Sequence, residues 1–113
     1  MKFMLLIHIN QPSWDGLTPE DLARLRVAHG TMIAELTASG ELIETNELGQ
    51  TGSRVVRTRD GVPLVTDGPF TEGKEIAGGY YIIDCNDMAR ATAIAARFVE
   101  AEFAPVDVRR IGS

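Results

Sequence analysis

Phe3-Met4-Leu5-Leu6-Ile7-His8-Ile9 carries apolar side chains at odd and even positions alike. A strand with one wet face alternates apolar and polar residues, so a run apolar on both parities reads as a central strand covered on both sides. Residues 76–85, Ile-Ala-Gly-Gly-Tyr-Tyr-Ile-Ile-Asp-Cys, have the same character and form the other central strand. After a loop over residues 11–16 that holds Trp14, Thr18-Pro19-Glu20-Asp21 supplies an N-cap, a proline in the first turn and early acids, which start a helix. Leu22, Leu25, His29, Met32, Ile33 and Leu36 recur at three- and four-residue steps along it, and Gly40 ends it with a left-handed cap. Residues 42–47 read as a short strand. Residues 54–58 and 62–66 form a hairpin around Asp60-Gly61, a pair suited to positive φ. Asn86 caps a second helix with a buried stripe of Met88, Ala91, Ala95, Phe98 and Val99, and residues 106–111 make the last strand. The order β-α-β, hairpin, β-α-β predicts an α+β chain of ferredoxin-like plan with an antiparallel sheet and an added hairpin. Right-handed crossovers place both helices on one face; with Met4 and Leu6 opposing Phe3, Leu5 and Ile7, and Tyr80 and Ile82 opposing Tyr81 and Ile83, the other face is bare and apolar. The expectation is a homodimer with the two sheets stacked.

With 113 residues, 44% of them apolar and 24% charged, the chain has room for one hydrophobic core and reads as a single domain over residues 1–113. No apolar run approaches the roughly 20 residues of a membrane span. His8, Asn10 and Gln11 break up the apolar start, so a secretory leader is not expected. Cys85 is the single cysteine, which rules out an internal disulfide and fits a reducing cytoplasm. A net charge of −5 without a long basic block argues against direct nucleic-acid binding.

Asp67-Gly68-Pro69-Phe70-Thr71-Glu72-Gly73-Lys74-Glu75 places a stiff turn, acids, a base and an aromatic between two strands. Pro69 restricts the backbone on both sides of itself and holds the Asp67 carboxylate at a defined place. Asp before Gly-Pro is also an ordinary turn starter, and on the residues alone the two roles stand level. Phe70 reads as an anchor for the loop, while Glu72 and Lys74 offer either a solvated rim or ligand contacts. His29 within a helical apolar stripe has an ordinary reading as a core histidine bonded to a carbonyl. Gly30 beside it weakens a helix by about 1 kcal/mol, which suggests that something packs closely there, either a loop or a ligand. His8 is placed to line a barrel interior or a dimer contact, and Trp14 to cap a pocket or staple its loop. Gly78-Gly79 marks a bulge or a close approach of another group. No His spacing supports a metal, neither histidine has a flank suited to haem, and Cys85 reads as a small buried hydrophobe, so no cofactor is expected.

The loop, together with Val27-Ala28-His29, Met32, Leu36 and Gly40-Glu41-Leu42, resembles the YCII-related family, in particular its branch named after Asp-Gly-Pro-Phe. Nearly the whole chain takes part in the resemblance. Glu72, Lys74 and Glu75 match the family's usual continuation, while Thr71 and Gly73 depart from it. The resemblance implies a dimeric α+β barrel and a catalytic His-Asp dyad, here His29 and Asp67, with Phe70, Glu72, Lys74, His8 and Trp14 around a ligand. A carboxylate on one ring nitrogen would orient the imidazole and leave the other to move a proton. By analogy with a dehydrochlorinase of the family that acts on a chlorinated hydroxyquinol, the expected activity is that of a lyase or isomerase on a small ring. The other expectation, also implied by the resemblance, is a non-enzymatic ligand- or protein-binding module associated with an extracytoplasmic-function sigma factor, in which His29 has no cavity beside it.

Overall fold

The computed structural model describes residues 1–71 and 73–112. Strand β1 (Lys2–Asn10) leads into α1 (Gln11–Asp15) and α2 (Pro19–Ser39); β2 (Leu42–Glu47), β3 (Arg54–Arg59), β4 (Val62–Asp67) and β5 (Glu75–Asp84) follow, then α3 (Met88–Ala95), a 3-10 turn (Val99–Glu102) and β6 (Val106–Arg110). The main sheet has the order β2-β5-β1-β6 with every neighbouring pair antiparallel. This is the arrangement of two interleaved β-α-β units, the ferredoxin-like plan.

Local chemistry accounts for most boundaries. Thr18 accepts from the Asp21 amide while the Asp21 carboxylate accepts from the Thr18 amide, closing a capping box at the start of α2. Gly40 ends the helix in the left-handed region at φ 78°. The stretch expected to be a loop before α2 is instead the short helix α1, because Asn10 accepts from the Ser13 amide and Pro12 fits the first turn. At the other end Asp87, rather than Asn86, caps α3. That helix stops at Ala95, and Met88 is exposed rather than part of the buried stripe.

Phe3, Leu5 and Ile7 of β1, Tyr81 and Ile83 of β5, Met32 and Leu36 of α2, and Ala91, Ile94 and Ala95 of α3 share one core with Phe98. Both long helices therefore lie on the same face of the sheet. Met4, Leu6, Tyr80 and Ile82 face the other way and are half-buried. In the β1–β5 ladder Ile7 pairs with Gly79 and His8 with Ala77, so Gly78 is the extra residue of a bulge. A Cβ at Gly78 would sit 2.9 Å from Ile9, so only glycine fits without moving that side chain. The hairpin turn uses Asp60 and Gly61 at φ 52° and 77°. Among the described residues strands β3 and β4 pair only with each other, as a two-stranded sheet.

Glu41, just past the end of α2, ties that helix to α3. Its carboxylate accepts from Arg90 at 2.8 and 3.0 Å and from the Ser39 hydroxyl at 2.8 Å. The Arg90 hydrogen bonds, with help from Ser39, bring the Glu41 pKa down from an ordinary 4.5 to about 2. A value lower in the folded state means stabilisation present above about pH 4.5 that fades as the pH falls towards 2. The Arg90 side chain is 43% exposed. Solvent screening then holds the pair to about 1 kcal/mol. Urea denaturation should find Glu41→Gln about 1 kcal/mol less stable at pH 7, with the gap to wild type closing towards pH 2.

Candidate functional site

His29 lies on α2 between the buried Leu25 and Met32, where the capping box and the apolar stripe set the angle of its ring to the sheet. Its side chain is 24% exposed. The Tyr81 hydroxyl, from the helix-facing side of β5, sits 2.6 Å from Nδ1, and Glu100 Oε2, from the 3-10 turn, sits 2.5 Å from Nε2. A carboxylate accepts, so Nε2–H donates to Glu100; in the neutral ring Nδ1 then accepts from the Tyr81 hydroxyl. Burial pushes the Tyr81 phenol up to about 12, which keeps its proton in place near neutral pH. Phe98 closes the back of the group, 4.8 Å from the Tyr81 ring and 5.5 Å from the His29 ring between centroids.

Glu100 is the only charged residue among the buried ones described. Its Oε1 is buried with no hydrogen-bond partner among the described residues. Leaving such an atom unsatisfied costs about 1–3 kcal/mol, so a purely structural design would avoid it. The carboxylate that engages His29 thus comes from a position 71 residues away, and among the described residues its one ion pair is with this imidazole.

The three polar groups open onto a cavity of about 950 Å³ between α2 and the β2–β5 part of the sheet. Trp14, half-buried on α1, lines it. Arg26 also lines it and has no ion pair among the described residues. Gly30 borders the space, and an added Cβ there would meet nothing within 4 Å. No loop of the described residues packs against Gly30; of the two expected neighbours, loop or ligand, the open space at the cavity leaves room for the second.

The other sequence-derived candidates lie elsewhere. The Asp67 side chain is 92% exposed at the end of β4 and pairs with Arg54 at 3.4 Å. It makes no hydrogen bond to His29 in the protomer, where both ring nitrogens are engaged by Tyr81 and Glu100. Gly68 donates to the Ser53 carbonyl at 3.0 Å, and a Cβ on Gly68 would fall 2.5 Å from Ser53 Oγ, so a larger residue there would make the serine hydroxyl turn away. Phe70 is exposed under the Arg57 guanidinium, 5.5 Å from its ring centroid. Lys74 is exposed, and Glu72 lies outside the described residues. His8 is half-buried on β1 with its amide donating to the Pro105 carbonyl. Asp67, Phe70, Lys74 and His8 do not line the cavity. Cys85 is buried, and burial raises its thiol pKa, as suits a small hydrophobe. Among the described residues no three His, Cys, Asp or Glu side chains gather as metal ligands, and no helix is long and apolar enough to cross a membrane.

Sequence reasoning missed Glu100 and the role of Tyr81. Residues 98–102, Phe-Val-Glu-Ala-Glu, read as the end of an amphipathic helix, in which an acid is an ordinary exposed residue. Only its burial against α2 distinguishes Glu100 from Glu102, which is exposed and pairs with Arg24.

No curated protein sequence matches the chain. Among solved structures the chain is similar to a 5-chloro-2-hydroxyhydroquinone dehydrochlorinase from Burkholderia phenoliruptrix, in complex with 2,5-dihydroxybenzoquinone. The two share 13% identity at a TM-score of 0.50, over 99% of this chain and 94% of the other. At that identity the likeness shows the fold alone. The sequence model of the YCII-related domain matches residues 1–111, nearly every element from β1 to β6, and the chain belongs to that family.

Proposed function

We propose that the protein is a small-molecule enzyme of lyase or isomerase type, with His29 as the general acid and base. The observation that supports this most is an imidazole at a cavity wall with a buried carboxylate on one nitrogen and a protonated phenol on the other. Glu100 does the orienting work that the family resemblance gives to an aspartate.

An acidic C–H or O–H of the ligand takes the place of the Tyr81 hydroxyl at Nδ1 and its proton passes to that nitrogen. Glu100, accepting from Nε2–H, balances the imidazolium charge. The electron pair left on the ligand moves into an adjacent carbonyl, or expels a leaving group from the next carbon. The released Tyr81 hydroxyl donates to the oxygen on which charge develops. Trp14 offers a flat surface to a ring and Arg26 a counter-charge to a phenolate or enolate. The dehydrochlorinase relative acts on a ring of this kind, and the present reading adopts that substrate class by analogy.

The test is deuterium exchange and chloride release, followed by NMR and ion chromatography, over hydroxylated and chlorinated hydroquinones and quinones. Wild type should exchange ring or α-carbonyl hydrogens, or release chloride, faster than His29→Ala on at least one class. Equal rates for the two proteins across the panel would overturn the reading.

A further inference from the structure

Several arginines of this chain sit against acids. Arg24 pairs with Glu102 and Asp21, Arg54 with Asp67, Arg90 with Glu41 and Arg97 with Glu35. Arg26 has no ion pair among the described residues, although Glu47 lines the same cavity. Three and four positions from it along α2 stand Leu22, Ala23, His29 and Gly30, none of them an acid. With Leu22, His29, Gly30 and Ile33 it belongs to the row of α2 that forms one wall of the cavity. A guanidinium thus borders the space beside the imidazole with its own charge unbalanced.

We infer that Arg26 and Gly30 form a subsite for a carboxylate of the ligand, so that the substrate is a ring acid whose reacting group meets His29. The inference rests on the reading of His29 as general acid and base, and adds the class of ligand that the same cavity takes. Gly30 supplies the second observation. Side chains on a helix lean over the turn before their own Cα, so a side chain at position 30 would lie beside Arg26 and His29. Glycine leaves that place open, since a Cβ there would meet nothing within 4 Å. Its φ lies outside the left-handed region, so the backbone does not call for glycine either. A mid-helix glycine lowers helix stability relative to alanine, and room for a ligand next to Arg26 gives that cost a purpose.

Spacing and charge together select a carboxylate on a ring. Arg26 and His29 are three positions apart on α2, about 5–6 Å at Cβ, which is the scale of one six-membered ring. Trp14 on the cavity wall offers such a ring a flat face. A guanidinium holds a carboxylate through two parallel hydrogen bonds. One cation balances one negative charge. A phosphate ester carries about −1.5 to −2 and would bring the excess into a cavity already lined by Glu47 and Glu100. The carboxylate keeps its charge before and after proton transfer, so Arg26 acts on binding, whereas Tyr81 meets the oxygen on which charge develops. Arg26 is in this way the residue that sets which ligands the cavity accepts.

Isothermal titration calorimetry of the full chain with 4-hydroxybenzoate, and with phenol as its neutral counterpart, tests the inference. Wild type should bind the acid about tenfold more tightly than phenol, and Arg26→Gln should abolish the difference while leaving phenol binding unchanged. Arg26→Lys should keep part of the preference, because it retains the charge without the planar fork. Gly30→Ala should raise the melting temperature by about 4 °C and yet weaken binding of the acid. Wild type that binds neither compound, or both equally, would overturn the inference. So would an Arg26→Gln protein that keeps the preference, or a Gly30→Ala protein with unaltered affinity for the acid. None of these readouts involves turnover, so the subsite and the enzyme reading fail separately. A protein that prefers the acid but exchanges no hydrogen keeps the subsite and loses the enzyme reading; one that exchanges hydrogen while binding both compounds equally does the reverse.

Discussion

Replacing His29 with alanine is expected to remove proton transfer at the cavity and to lower stability by about 3 kcal/mol. The second effect follows from Glu100. Its side chain is 11% exposed, one oxygen is already without a partner, and the other rests on His29 Nε2. Deleting the imidazole leaves the buried carboxylate without the one partner it has among the described residues. Glu100→Gln keeps the shape and a hydrogen-bonding oxygen while removing the charge that supports an imidazolium. It should retain more stability than His29→Ala and still slow the reaction by about 10²–10⁴-fold. Guanidinium denaturation and the exchange assay, read side by side, separate the two roles. A His29→Ala protein as stable as wild type would mean that the Glu100 carboxylate is satisfied without the imidazole.

The second large effect is on the core. Leu36 is fully buried on α2 within the cluster that includes Phe3, Leu5 and Ile94. Leu36→Ala removes three carbons from that cluster and leaves a void that the surrounding rings and β-branched side chains cannot fully close, so the expected loss is about 3 kcal/mol. For a chain of this size the melting temperature should fall by about 12 °C. Leu36 does not line the cavity beside His29, so the shape of that cavity below the new melting point should be unchanged. A loss under 1 kcal/mol by thermal and urea melts would show that the site collapses around the deletion.

Much of this architecture was legible because it rests on local rules. Thr18-Pro19-Glu20-Asp21 starts α2 wherever the helix is placed, Gly40 ends it, and Asp60-Gly61 turns the hairpin. The parity of β1 and β5 revealed a covered face and an open one, and Gly78 marked the bulge. Two local features were misread: α1 was taken for a loop, because five residues show no period, and α3 was extended beyond Ala95 into what is a 3-10 turn.

The site was legible only in part. His29 stood out because an imidazole in an apolar stripe departs from the pattern around it. Its partners did not, since Tyr81 resembles a core aromatic and Glu100 resembles a solvated acid on a helix. The sequence by itself determined the helix α2, the strands and their order, and singled out His29, since periodicity and caps are properties of neighbouring residues. Only the tertiary structure decided which carboxylate meets that imidazole. The pairing of His29 with Glu100 spans 71 positions and depends on how the 3-10 turn packs under α2. It also left the loop that carries Asp67 on an exposed hairpin, because among the described residues β3 and β4 bond to each other and not to the sheet.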